Sequence, residues 1–441
     1  MTRSSFPAEV RGSIEAPSSK SSMQRAVAIA ALASNGRDAA RSVIRRPSFC
    51  ADSRAALALA EALGAGVKVL DDRVEIAGAT LEGRMVPPNA ESPNAESPIL
   101  PRRVLDCGES GLCMRMFAPI AALFPGESEL VGRGSLRRRP VTAIEGCLAS
   151  LGAFAGTSDG LPPVLVRGPM SGGTACVDAT ASSQFLSGLL IALPLAPADS
   201  ELSVPGLVSP GYIGLTLDTM SAFGLEVEAA RDYSGFLIRG GRSYRPADFT
   251  VEGDWSGAAF LLVAGALAAR RSPLAVRGLG LASSQPDRAI LAALEAAGAS
   301  VESGAAKIAV MRRRLRAFDF DASGCPDLFP PLVALASACE GVTHLSGATR
   351  LATKESDRAA ALSEEFGKMG IDVKVSGDDM WVRGGSVKPG RVDSRGDHRI
   401  AMAAAVAALS GEGEVIIGGA ECVSKSWPGF FEDLGSITAT P

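Results

Sequence analysis

The chain alternates two textures. Alanine-rich stretches carry apolar residues at the spacing of a helix that buries one face. Each is followed by a glycine and then by short aliphatic or β-branched runs bounded by turn residues, as paired strands require. Leu63-Gly64 leads to Val74-Glu75-Ile76-Ala77-Gly78, Leu151-Gly152 to Val164–Gly168, Phe223-Gly224 to Phe236–Gly240, and Met369-Gly370 to Met380–Gly384. A further copy opens at Ala297-Gly298, and a weaker one at Leu434-Gly435. The marker glycines 64, 152, 224, 298, 370 and 435 lie 88, 72, 74, 72 and 65 residues apart. The long first interval holds the duplicated Pro88–Ser92 and Pro93–Ser97; a surface insertion of about fifteen residues accounts for it. Each glycine is placed to end a helix in the left-handed conformation.

Six such units divide naturally into two domains of three, and 441 residues are too many for one core. The pattern breaks at Pro17–Lys20 and Val251–Asp254, where chain crossings could lie. Alanine-rich α/β sequence can also imitate itself without a true repeat, so the six-fold division is an expectation.

Composition narrows the class further. A 46% hydrophobic chain with 49 glycines and few aromatics fits an α/β protein with many tight turns. The net charge of −4 supplies no general attraction to nucleic acid or an acidic membrane, so any anion must be held by local focusing of cations. Residues 1–17 are polar and read as no secretory signal. The apolar run Phe260–Ala269 is too short to span a bilayer and reads as a buried helix. Eight scattered cysteines form no CxxC pair and no zinc-like spacing. A reduced, metal-free, cytoplasmic protein is expected.

The candidate chemistry is clustered. Lys354-Glu355-Ser356-Asp357-Arg358 places two cations around two carboxylates, and Asp397-His398-Arg399 sets a carboxylate, an imidazole and a guanidinium side by side. Such groups desolvate one another at a cost unless an anion binds among them. At the other end, Ser18-Ser19-Lys20-Ser21-Ser22-Met23-Gln24-Arg25 opens the apolar helix Ala26–Ala33, where N–H groups, Lys20 and Arg25 can converge on an anion. By itself it reads better as an ordinary cap with two solvated cations.

Weaker signals lie between. Gly108 and Gly111, three apart, let backbone amides approach a ligand, with Arg115 as a fork for a carboxylate or phosphate. Among Arg133, Arg137, Arg138 and Arg139, the last is held most rigidly, before Pro140; most charge runs are solvated faces. Ser182-Ser183-Gln184 starts a helix with groups suited to a polyhydroxy ligand or simply to capping, and Ser209 and Tyr212 form a similar pair. Asp327 opens the apolar helix Leu328–Ala338 either as an N-cap or as a base aimed into a cleft. Lys425, taken alone, reads as a surface lysine.

In combination and in order, Ser18–Arg25, Ser182–Gln184, Lys354–Arg358 and Asp397–Arg399 resemble the enolpyruvyl transferases, over a span from Gly12 to Leu434. The resemblance implies an α/β fold of two domains, residues 20–252 and residues 1–19 with 253–441, each with three βαβαββ units. It also implies an active-site cleft that closes on substrate. It further implies transfer of the enolpyruvyl group of phosphoenolpyruvate to the 5-hydroxyl of shikimate 3-phosphate, with no cofactor; a monomer is expected. On that basis Lys20, Ser21 and Arg25 bind shikimate 3-phosphate, with Lys20 also reaching phosphoenolpyruvate. Ser182, Ser183, Gln184 and Ser209 hold the phosphate and ring hydroxyls, and Tyr212 the ring. Gly111, Arg139, Arg358, Arg399 and Lys425 hold phosphoenolpyruvate, with Arg115 in support. Asp327 is the implied proton acceptor, Glu355 the donor, and Lys354 belongs to both substrate sites. His398 is expected to orient its neighbours.

Four positions depart from the family pattern: Glu109 stands where Asn is usual, Leu112 where Thr is usual, Met116 where Pro is usual, and Arg350 where Asn is frequent. Glu109 should point away from the anion loop or pair with an arginine. Transfer to UDP-N-acetylglucosamine is the sister activity, but Ser21 follows Lys20 where that enzyme has Asn, and Gly132–Pro140 lacks its reactive cysteine. Cys107 and Cys113 read as buried structural thiols. A non-catalytic nucleotide- or RNA-end-binding protein is disfavoured by the acidic charge and by the lack of a P-loop or aromatic–basic interleaving.

Overall fold

A computed structural model describes residues 1–33, 40–79 and 102–439. The duplicated Pro88–Ser97 segment lies outside the described residues. Contacts divide the chain into two units, Lys20–Val251 and Met1–Ser19 with Glu252–Pro441. Among the described residues each unit holds six α-helices: α1 (Lys20–Leu32), α2 (Ala51–Ala62), α3 (Gly111–Ala121), α4 (Ala143–Ser150), α5 (Gln184–Ala192) and α6 (Pro210–Ala222) in the first, and α7 (Trp255–Ala268), α8 (Ile290–Ala296), α9 (Phe329–Ala336), α10 (Arg358–Lys368), α11 (His398–Ala408) and α12 (Phe430–Ile437) in the second.

The middle repeat of the first unit has the full βαβαββ order. Arg103–Asp106 precedes α3, Gly126–Val131 lies between α3 and α4, and the hairpin strands Phe154–Ser158 and Leu161–Gly168 follow. In space Arg103–Asp106 pairs parallel to Gly126–Val131, which pairs antiparallel to Leu161–Gly168, and that strand pairs antiparallel to Phe154–Ser158. The next repeat copies this with Thr174–Cys176, Ser200–Ser203, Gly235–Ile238 and Glu228–Ala229. In the first repeat the parallel edge is supplied from the unit's far end, where Asp248–Thr250 pairs with Ser42–Arg45.

The second unit repeats the arrangement. Gly12–Glu15 provides the parallel edge beside Leu274–Arg277, and Asp319–Asp321 does so beside Val342–Ser346. In the last repeat Gly390–Asp393 is parallel to Val415–Gly418, and the N-terminal strand Thr2–Ser5 replaces the hairpin on the other side. The edge strands at 12–15 and 248–250 therefore stand outside the sequence span of the repeats they complete.

The first helix of each repeat forms the core. Helices α1, α3 and α5 pack together in one unit, and α7, α9 and α11 in the other. All 14 residues of α7 are buried, which accounts for an apolar run with no polar face. Gly188 of α5 lets that helix approach the Met116 carbonyl of α3, where a Cβ would collide.

The periodic glycines have two jobs. Gly64, Gly152, Gly224, Gly298 and Gly370 all take positive φ at helix ends. Gly435 does not: it lies inside α12, so the sixth copy ends differently from the expectation. The strand-ending Gly78, Gly168, Gly240 and Gly384 instead abut the carbonyls of Ala33, Ala122, Ala198 and Cys339, leaving no room for a side chain.

Candidate active site

In the first unit the polar groups converge at the N-terminal ends of α1, α3, α5 and α6. Helix α1 begins at Lys20, so Ser21 and Arg25 fall in its first two turns rather than in a preceding loop. Lys20 Nζ donates to Asp52 Oδ2 at 2.9 Å, both side chains being mostly buried. Asp52 lies in the first turn of α2, and its carbonyl accepts from Cys113 Sγ.

Arg25 is 1% exposed, yet its hydrogen bonds go to neutral oxygens. Nε donates to Thr216 Oγ1 at 2.8 Å, Nη1 to the Ser21 carbonyl at 2.9 Å, and Nη2 to Ser187 Oγ and the Tyr212 carbonyl, each at 3.2 Å. The guanidinium also sits 5.9 Å from the Tyr212 ring centre. Burial pulls its pKa down to about 10, against a smaller opposing pull from Tyr212. A charge buried among neutral acceptors gains most when an anion arrives.

Ser183 is buried at the α5 N-cap position, and its carbonyl accepts from Ser187, tying it to the Arg25 cluster. Ser182 Oγ accepts from the Gln184 N–H at 3.3 Å. Helix α5 thus begins at Gln184, after the two serines. Ser209 precedes α6 with φ 55° and ψ 59°, its carbonyl accepting from the Tyr212 N–H. A non-glycine residue held in that region is strained, and such strain concentrates at functional sites.

Beside this cluster, Gly111 opens α3, and the Ser110 side chain accepts from Cys113 N–H as its cap. A Cβ at Gly111 would meet Arg139 Nη1 at 2.7 Å and Arg115 Nη1 at 2.9 Å. Two guanidiniums and a helix N-terminus therefore meet at one glycine, an arrangement made for a carboxylate or phosphate. Arg115 also donates to Gln184 Oε1 at 3.1 Å and to the Pro140 carbonyl at 2.7 Å, joining the two clusters. Arg139 is buried while Arg137 and Arg138 are exposed. Glu109 accepts from the Ser135 N–H and hydroxyl. Leu112, Met116, Cys107 and Cys113 are buried, and burial raises the pKa of both thiols.

In the second unit one network gathers Asp327, Lys354, Glu355, Arg358 and Arg399. Arg358 is 0% exposed and spends each nitrogen on a carboxylate: Nη1 on Asp327 at 3.0 Å, Nη2 on Glu355 at 2.6 Å, and Nε on Asp397 at 2.9 Å. Arg399 Nη2 donates to the other Asp327 oxygen at 2.8 Å, and its Nη1 to Ser256 Oγ at 2.7 Å. Lys354 Nζ lies 3.7 Å from Asp327. Burial alone would lower the Arg358 and Arg399 pKa values; Asp397, Glu355 and Asp327 more than reverse this for Arg358, and Asp327 leads the reversal for Arg399. For Lys354 burial wins over Asp327, and its pKa falls to about 8.

Asp327 is therefore not the cap of α9. It sits in the turn Pro326–Leu328, Leu328 holds the cap position, and the carboxylate faces three cations. Asp397 is the cap of α11, accepting from the Arg399 N–H, while its carboxylate also fixes Arg358 and Ser356. His398 is 1% exposed, with Nδ1 3.9 Å from Asp397. Lys425 is half-buried and donates to the Gly396 carbonyl at 2.9 Å, beside the Asp397 turn. Arg350 donates to the Ser323 carbonyl. Sequence reasoning missed Asp52, Ser187, Thr216 and Ser256; each is an ordinary residue on a helix, and only packing gives it a charged neighbour.

The EPSP synthase (3-phosphoshikimate 1-carboxyvinyltransferase) family profile matches residues 5–434. Curated relatives named 3-phosphoshikimate 1-carboxyvinyltransferase include one from Methanocorpusculum labreanum, 36% identical over 98% of this chain and 97% of its own. Another, from Aeropyrum pernix, is 38% identical over 98% of this chain and 95% of its own. Among solved structures, EPSP synthase from Acinetobacter baumannii superposes with a TM-score of 0.80 at 25% identity, covering 100% of this chain and 98% of its own. The enolpyruvyl transferase NikO from Streptomyces tendae shares the fold, with a TM-score of 0.72 at 19% identity over 99% of both chains. With its repeats, cation clusters and full-length match in agreement, this chain belongs to the EPSP synthase family of enolpyruvyl transferases.

Proposed function

We propose that the chain transfers the enolpyruvyl group of phosphoenolpyruvate to the 5-hydroxyl of shikimate 3-phosphate, releasing phosphate, in the shikimate pathway. The family match over nearly the whole chain supports the reaction. The observation that supports the residue roles is the Arg358 hub, which gathers Asp327, Glu355 and Asp397, with Arg399 and Lys354 meeting the network at Asp327.

Arg25, Ser21, Ser182, Ser183, Gln184, Ser209 and Tyr212 are assigned to shikimate 3-phosphate. Gly111, Arg139, Arg358, Arg399 and Lys425 are assigned to phosphoenolpyruvate, with Arg115 supporting, and Lys20 and Lys354 to both. Residues 20–252 and 1–19 with 253–441 act as the two domains of this monomeric, cytoplasmic enzyme; light scattering should give the mass of one chain. Among the described residues no helix is long and apolar enough to cross a membrane.

The chemistry is addition then elimination. The 5-hydroxyl oxygen bonds to C2 of phosphoenolpyruvate while its proton passes to Asp327 and the methylene C3 takes a proton from Glu355. The tetrahedral intermediate carries a methyl group, a carboxylate and the phosphate. Elimination breaks the C2–O bond to phosphate, which leaves with the Asp327 proton, and the methyl returns its proton to Glu355. Preplaced cations stabilise the charge that develops on phosphate and carboxylate.

Purified protein should release phosphate only when both shikimate 3-phosphate and phosphoenolpyruvate are supplied. Release with UDP-N-acetylglucosamine in place of shikimate 3-phosphate would move the assignment to the sister activity.

A further inference from the structure

The two carboxylates assigned to proton transfer are both tied down. Asp327 accepts from Arg358 at 3.0 Å through one oxygen and from Arg399 at 2.8 Å through the other, with Lys354 3.7 Å away. Glu355 accepts from the remaining Arg358 nitrogen at 2.6 Å. Cations at these distances favour the ionised form of both groups. Neither role is served by that state, because a base so neutralised has little appetite for a hydroxyl proton and an acid must begin protonated. The same two arginines are those assigned to phosphoenolpyruvate.

We infer that phosphoenolpyruvate itself arms the proton-transfer pair, by drawing Arg358 and Arg399 toward its phosphate and carboxylate and so loosening their hold on Asp327 and Glu355. This rests on the proposed assignment of both arginines to phosphoenolpyruvate. Asp397 keeps the device from falling apart. It is fully buried and holds Arg358 through Nε at 2.9 Å, with only a long 3.4 Å contact to Nη2, so that Nη1 and most of the hold of Nη2 are left to be shared between ligand and the other two carboxylates. Ser256 anchors Arg399 through Nη1 in the same way, leaving Nη2 to be contested. Without phosphoenolpyruvate the pair stays ionised, and no proton leaves the 5-hydroxyl. The gate thus ties proton removal to the presence of the electrophile that consumes the resulting oxygen nucleophile.

Other charges act on the same groups. Glu355 and Asp287 pull on Arg399, Arg350 and Arg358 oppose the charge of Lys354, and Cys325 lies on the Asp327 turn.

The test follows both carboxyl carbons by carbon-13 NMR in the whole enzyme, assigned through Asp327→Asn and Glu355→Gln. Titrations are run with a shikimate 3-phosphate analogue lacking the 5-hydroxyl, with and without saturating phosphoenolpyruvate, in wild type and in Arg399→Gln. In wild type the ligand should raise both midpoints, Asp327 by about one pH unit or more. Arg399→Gln should raise the Asp327 midpoint without ligand and shrink the further rise on adding it. An equal rise in both proteins would mean that the ligand's own charge does everything, and would overturn the inference. So would no rise in wild type while calorimetry shows phosphoenolpyruvate bound. Calorimetry separates the two levels: if Arg399→Gln binds phosphoenolpyruvate as tightly as wild type, the assignment of Arg399 is at fault and the inference falls with it.

Discussion

Three residues show how environment bears on function at the residue scale. Glu355 is the proposed source of the proton that makes phosphoenolpyruvate electrophilic. Glu355→Gln should therefore cut kcat by about a hundredfold or more while KM changes little, since a positioned acid contributes on that order. Steady-state kinetics would decide, and near-normal turnover would remove Glu355 from the reaction.

Lys354 has the opposite problem, a charge that burial makes easy to lose at about pH 8. Only the protonated amine attracts an anion. The KM for phosphoenolpyruvate should therefore climb as pH passes above about 8, whereas Lys354→Arg should flatten that climb because a guanidinium stays charged. Bound anion favours the protonated amine, so saturating ligand should move the break to higher pH.

Gly111 is the third case. An added Cβ would press on Arg139 Nη1 at 2.7 Å and Arg115 Nη1 at 2.9 Å, both ends of flexible side chains. Gly111→Ala should leave the fold intact and raise the KM for phosphoenolpyruvate by roughly tenfold, the equivalent of 1.4 kcal/mol. An unchanged KM would mean that the two guanidiniums do not meet the ligand there.

Elements are placed by contacts that tolerate less. Gly384 ends its strand against the backbone of Cys339 and Ala336, and backbone cannot rotate aside as an arginine can. Gly384→Ala should lower stability by about 1–3 kcal/mol, the usual cost of forcing atoms into a packed site, measured as a lower midpoint in denaturant. Arg25 is the reverse. Helix α1 buries this cation among hydroxyls and carbonyls, and Tyr212 O keeps a second donor in Thr216 Oγ1 at 2.9 Å. Arg25→Met should leave thermal stability equal or raised, because a desolvated charge is removed, while affinity for shikimate 3-phosphate collapses. A destabilised variant would show that Arg25 serves packing first.

For the whole molecule, the repeat explains why so much was legible in the sequence. Helix periodicity, strand composition and the glycine positions are local properties, and Gly64, Gly152, Gly224, Gly298 and Gly370 do end helices at positive φ. Gly435 failed because a glycine can also sit within a helix when the last turn carries on through it, as α12 does. The leading strands of the first and fourth repeats were invisible for another reason. They come from residues 248–250 and 12–15, far along the chain from the helices they serve.

The site divides the same way. Lys20, Arg25, Arg139, Asp327, Glu355, Arg358 and Arg399 were singled out as candidates by their order, which resembles that of a known family, since several of them taken alone had an ordinary structural reading. Sequence alone thus determined the residue types available for anion binding and proton transfer, since these follow from side-chain chemistry. What only tertiary structure decided was partnership. Asp327 turned from a plausible cap into a carboxylate shared by Arg358 and Arg399, and Asp397, 39 residues beyond Arg358, became the anchor that aims it. Electrostatic pairing depends on distance through space and on burial, and neither is written at any single position in the chain.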